Sequence, residues 1–181
     1  MKKLIFLVLI TSFCYSQEKI NSSVEKSIFG IQTGFLGVWV HNESRLSNQI
    51  SLRSEIGMNY GFFDNGYGQN SIVYPTIRLE PRWYYNLEKR VKKGRKISNN
   101  SGNFLALNIT YTPDWFYISD LDNINIIGTI TFIPKWGIKR TVGKHFTYET
   151  GIGIGTFILL EDYNVDNNIA FDLHLRIGYT F

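Results

Sequence analysis

Between Ile169 and Phe181 the chain alternates without a break. Ile169, Phe171, Leu173, Leu175, Ile177, Tyr179 and Phe181 are apolar, while Ala170, Asp172, His174, Arg176, Gly178 and Thr180 between them are small or polar. Period-two alternation of this length specifies a β-strand with one apolar and one polar face.

The same pattern recurs along the chain. Ile28–Phe35 sets Phe29, Ile31 and Phe35 against Gly30, Gln32 and Gly34. The phase then slips, so that Val38 and Val40 oppose Trp39, His41, Glu43 and Arg45. A slip between Gly34 and Gly37 reads as a tight turn or a bulge, and an even strand count selects the turn. Further strands are expected over Ile50–Phe62, Val73–Leu87, Leu105–Thr112, Ile124–Lys139, Phe146–Leu160 and Ile169–Phe181. Polar connections separate them at Asp64–Asn70, Glu88–Gly102, Asp114–Asn123 and Glu161–Asn167. The count is eight. Pro75, Pro81, Pro113 and Pro134 fall within or at the ends of these strands, each removing a ladder donor.

The first residues carry Lys2 and Lys3, an apolar run Leu4–Ile10 and small residues to Ser16. That is the layout of a secretory signal, expected over residues 1–16, with a polar lead-in over 17–26 and the folded unit over 27–181. Phe13 is bulky where a lipoprotein signal places a small residue before its cysteine, so Cys14 is expected to leave with the signal. The mature chain then has no cysteine and no disulfide. No later stretch is long and apolar enough for a transmembrane helix, which leaves a closed barrel as the one way such a chain crosses a bilayer.

The formal charge of +4 is deceptive. Setting aside Lys2, Lys3 and the six basic residues of Lys89–Lys96 leaves 11 basic against 15 acidic residues, so a nucleic-acid partner is not expected. The basic run itself reads as a solvated connection on the periplasmic side, with contact to anionic headgroups as the functional alternative.

Alternation does not say which face is outside; a soluble lipocalin-like barrel would put its apolar face inward. Three features place it outward. Glycines 57, 61, 151, 153, 155 and 178 lie on the polar face, as the crowded interior of an eight-stranded barrel requires. Charges of both signs share that face: Arg53, Glu55, Arg78, Glu80, Arg82, Lys135, Glu149, Asp172 and Arg176, with His174 among them. Inward charges must be paired, and this set supplies the partners. Finally, Trp83, Tyr85, Trp136, Phe146, Tyr148, Tyr179 and Phe181 gather near one rim, and Tyr60, Phe62, Trp115, Phe116 and Tyr117 near the other. Two aromatic girdles suit a bilayer-crossing barrel.

With the signal ending in Tyr15-Ser16-Gln17, the run Leu79–Leu87 and the closing strand Leu173–Phe181, the chain resembles small outer-membrane β-barrels of the OmpX/OmpA transmembrane type, more closely the uncharacterised barrels of Bacteroidetes. The resemblance implies an all-β, antiparallel, up-and-down transmembrane barrel of eight strands. It also implies residence in the cell outer membrane, contact with its lipid and lipopolysaccharide, and assembly by the barrel-insertion machinery through the C-terminal strand.

The charged set reads as a salt-bridged lumen, a plug and not a conduction path. His174 between Asp172 and Arg176 reads as a packed lumen histidine, since no serine shares its pattern. Some eight-stranded barrels modify lipid A with His, Ser and an acid on one outward face; here His41 and Ser44 fall on opposite faces, so no catalytic residue is expected. Three scattered histidines give no metal-ligand spacing, and neither metal nor cofactor is expected. The expected role is structural or surface interaction, the alternatives being a barrel enzyme acting on lipid A or phospholipid and a soluble periplasmic carrier.

Overall fold

The computed structural model describes residues 22–64, 66, 68–121, 126–161 and 167–181. The expected signal over 1–16 and the first part of the lead-in lie outside these residues. The described strands are β1 (Ser27–Gly34), β2 (Gly37–Arg45), β3 (Ile50–Asp64), β4 (Gln69–Trp83), β5 (Gly102–Thr112), β6 (Ile118–Ser119), β7 (Thr129–Val142), β8 (Phe146–Leu159) and β9 (Ile169–Thr180). A short helix α1 (Leu87–Lys92) and a single 3-10 turn (Ser98–Asn100) connect β4 to β5.

Every pairing is antiparallel. The eight long strands pair in chain order, and β1 pairs with β9, so the sheet closes on itself as an up-and-down barrel. The two-residue β6 extends one wall by pairing with Ile72 and Val73 of β4. Closure leaves none of the eight long strands as a free edge.

Gly34 and Gly37 face each other across a two-residue turn at Phe35 and Leu36, as the phase slip requires. Gly37 has φ +149°, and a Cβ there would sit 2.2 Å from the Met58 carbonyl oxygen, so only glycine lets β2 start against β3.

The prolines fall where the ladders are interrupted. The β4–β5 pairing stops at Leu79↔Ile109 and resumes at Arg82↔Ala106, skipping Pro81. The β7–β8 pairing stops at Phe132↔Thr156 and resumes at Lys135↔Gly153, skipping Pro134. Pro75 lies between the stretches of β4 that pair with β6 and with β5. On their other sides all three residues remain paired, Pro75 to Met58, Pro81 to Leu52 and Pro134 to Leu107. Each proline thus turns its missing donor toward the side without pairing. Beside Pro134 the strands press together: a Cβ on Gly155 would lie 1.9 Å from the Phe132 carbonyl oxygen.

Some boundaries differ from the sequence expectation. β4 ends at Trp83 and not at Leu87, because Tyr84 and Leu87 turn inward to close the end of the barrel that holds Val24 and Phe181. Tyr84, Leu87, Phe104 and Val24 form a small buried apolar cluster there, with Ile97 and Ala106 against it. The lead-in is therefore not loose where it is described: Val24 donates to the Asn48 carbonyl (2.9 Å), and the Glu25 amide donates to Asn100 Oδ1 (2.7 Å). Burial in this cap pushes the Tyr84 hydroxyl pKa well above its ordinary value. The expected loop 64–70 is shorter, since β3 and β4 stay paired to Asp64↔Gln69. The expected loop over 114–123 contains β6, and Asp120 is hydrogen-bonded to Ser71 of β4.

Candidate functional site: the lumen and the two faces of the wall

The two faces of the wall are opposite in chemistry. Leu173 is 77% exposed and Phe171 75%, and Leu175, Ile177, Ile152, Ile154, Ile56 and Val40 also face outward. Arg53, Glu80 and Glu149, by contrast, are each 0% exposed. Charges that a soluble protein leaves in water are here enclosed, and the side chains it encloses are outside.

Inside, every expected lumen residue belongs to one connected network. Arg82 of β4 donates from Nη1 and Nη2 to Glu149 of β8 (2.9 and 2.7 Å) and from Nε to Glu80 (2.6 Å). Lys135 of β7 sits 2.6 Å from Glu80 and 3.4 Å from Asp172. His174 Nδ1 lies 2.7 Å from Asp172 Oδ1, and its Nε2 lies 3.4 Å from Glu149. Higher in the barrel, Glu55 of β3 receives three guanidinium groups: Arg53 at 2.6 Å, Arg78 at 2.8 Å and Arg176 at 2.9 Å. Isolated, any of these ions would be too costly to bury; bidentate and bridging contacts offset that cost.

Further residues complete the network beyond those singled out from sequence. Glu43 of β2 is fully buried between Lys139 Nζ (2.8 Å), Ser51 Oγ (2.7 Å) and Asn100 Nδ2 (2.8 Å). Gln32 Oε1 accepts from Arg53 (2.6 Å), and Asn108 Nδ2 donates to Asp172 (2.7 Å). The parity that flags Arg53 and Glu55 also flags Gln32, Glu43 and Lys139, so the signal was present; their pairing across the barrel was not. Both His41 and Gly30 point inward, and a Cβ on Gly30 would meet the His41 ring at 2.8 Å. Ser44 faces away from His41 and donates to Asn42 Oδ1. Among the described residues no group of three or more His, Cys, Asp or Glu is arranged to hold a metal ion.

The rim nearest Val24 carries Trp83, Tyr85, Trp136, Phe146, Tyr148, Tyr179 and Phe181, all exposed. Six of them fall into two contact groups, Trp83–Tyr85–Trp136 and Phe146–Tyr179–Phe181. Trp136 Nε1 donates to the Tyr85 hydroxyl (2.8 Å), Trp83 packs edge-on to Tyr85, and Tyr179 packs edge-on to both Phe146 and Phe181. At the opposite rim Phe62, Trp115 and Phe116 are exposed, and Tyr60 packs edge-on to Phe62. The basic run spans the later part of α1 and the turn after it; its lysines are exposed, whereas Arg90 folds back to donate to the Lys96 carbonyl.

Comparison with protein-family models, curated proteins and solved structures finds no match to this chain.

Proposed function

We propose that this chain is an outer-membrane β-barrel protein with a polar, salt-bridged lumen that does not conduct, serving a structural or surface-interaction role. The observation that carries the reading is the inverted polarity of the wall. A ring of outward Leu, Ile, Val and Phe of this extent far exceeds the apolar patches that soluble monomers expose, and hydrocarbon is the solvent that suits it. A closed ring satisfies the backbone of a spanning segment, and the aromatic belts at both rims match the two bilayer interfaces. On this reading residues 1–16 direct export, the outer surface contacts membrane lipid and lipopolysaccharide, and β9 is the strand offered to the barrel-assembly machinery. The buried ionic network and the apolar cap around Tyr84 both occupy the interior, which favours a plug over a pore.

The test is fractionation followed by gel mobility. The protein should sediment with outer membranes, need detergent for release, and migrate faster unheated than boiled. Recovery from the soluble periplasm without detergent would rule the reading out. Planar-bilayer recording should give no stepwise current; stable unitary steps would overturn the plug.

A further inference from the structure

The end of the lumen away from Val24 and Phe181 opens into a cup of about 300 Å³, between the β1–β2 turn and the upper parts of β3, β4, β5, β7 and β9. Among the described residues its charge is unbalanced. Arg53, Arg78 and Arg176 share the single carboxylate of Glu55. Arg53 also reaches down to Gln32 and Glu149, whereas Arg78 and Arg176 line the cup. Arg78 spends Nε on Thr110 and Nη1 on Glu55, and Arg176 spends Nη1 on Glu55, which leaves Nη2 of both without an acceptor among the described residues. Arg176 is only 4% exposed, and its Nε also lacks a partner. Its guanidinium carbon sits over the Trp39 ring, 3.9 Å from the centroid, which restrains the group. Among the described residues Asp172 is the one acid on the cup wall, and it is engaged by His174, Lys135 and Asn108.

We propose that this cup is a binding site for a small oxyanion carried on a hydroxylated body, of the size of one acidic sugar. Two pre-positioned guanidinium groups with free nitrogens suit a carboxylate or a phosphate, which they would engage by charge-assisted hydrogen bonds. The rest of the lining mixes hydroxyl and amide groups, from Thr112, Thr131, Asn59 and Tyr74, with apolar side chains that include Phe35, Leu36 and Ile133. Such a lining matches sugar hydroxyls, and the volume is at the lower end of small-molecule sites. The site depends on the polar face being inside, but not on the membrane that surrounds the barrel, so it can fail while the outer-membrane reading stands.

The full chain, refolded in detergent, is titrated calorimetrically with glucuronate, glucose 6-phosphate, glucose and inorganic phosphate. Saturable one-to-one binding of either acidic sugar, with glucose and phosphate each roughly tenfold weaker or more, is the expected result. Which acidic sugar binds assigns the oxyanion as carboxylate or phosphate. No saturable binding of either, or glucose or phosphate binding as tightly, would overturn the proposal. Arg78→Gln should weaken binding at least about tenfold. Thr131→Phe, which fills the cup without touching the ion pairs, should abolish it. Unchanged affinity in a Thr131→Phe protein that keeps heat-modifiable mobility would place the ligand elsewhere and also overturn the proposal.

Discussion

Arg82 and Glu149 meet across the lumen, two guanidinium nitrogens against one carboxylate at 2.9 and 2.7 Å, from strands that do not pair with each other. The contact ties opposite parts of the wall together in the buried interior. Glu149→Gln leaves Arg82 buried with Glu80 (2.6 Å) as its nearest carboxylate and Glu43 4.0 Å away, and should cost about 3–5 kcal/mol of unfolding free energy in lipid vesicles. The double replacement Arg82→Met with Glu149→Leu removes both charges and should recover much of that loss. Urea titration of the three proteins measures it; a double variant as unstable as the single one would show that the pair is not what Glu149 contributes.

The outer face makes a sharper distinction. Leu173 lies midway along β9 and points outward. If lipid surrounds it, Leu173→Arg should cost about 2–4 kcal/mol, and the same change at Tyr179 near the rim about 0–1 kcal/mol. In a water-soluble barrel neither substitution would matter. Equal, small effects at both positions, read from folding equilibria in vesicles, would remove the bilayer from the account.

Where Pro134 interrupts the β7–β8 ladder, the wall should be locally weak. Amides of Ile154 and Gly155 are expected to exchange with deuterium faster than those of Gly151 and Ile152, which lie where pairing is continuous. Gly155→Ala should block folding or lower its yield severely, because its Cβ would run into backbone. Gly61→Ala, whose nearest neighbour would be the Ile72 side chain at 3.2 Å, should fold. Uniform exchange along β8 would mean that the proline gap has no dynamic consequence.

The barrel was legible in the sequence because one periodicity encodes it: a strand buried on one side writes its register into every second residue. That is why Gly34–Gly37 could be read as a turn, and why Arg53, Glu80 and Glu149 could be assigned to one face. The cap was not legible for the same reason. Trp83, Tyr85 and Leu87 continue the alternation of β4, yet the chain has already left the sheet and α1 begins at Leu87. Over so few residues a strand period and a helical turn place apolar residues alike. Nor does alternation reveal which inward charges meet, since that depends on stagger around the ring; Glu43 and Lys139, 96 positions apart in sequence, pair only because the barrel closes. The prolines look misplaced in one dimension and fit once each strand has two distinct sides.

Asn100 joins the cap to the ionic network, and its substitutions can separate three effects. Its side chain accepts from the Glu25 amide (2.7 Å) and donates to Glu43 (2.8 Å), while its own backbone is left-handed, with φ 57°. Asn100→Gly loses both hydrogen bonds but keeps the backbone at ease, so it should cost about 2–3 kcal/mol. Asn100→Ala loses the same bonds and adds the strain of a left-handed alanine, and should be about 1 kcal/mol worse. Asn100→Asp retains an acceptor for Glu25 but sets a second carboxylate against Glu43, whose cations Lys139 (2.8 Å) and Arg82 (4.0 Å) are already engaged, and should be the most damaging of the three. Unfolding midpoints in vesicles give the order directly. If glycine and alanine prove equal, the left-handed backbone at Asn100 carries no stability; if aspartate is the mildest, Glu43 is not held ionised in the lumen.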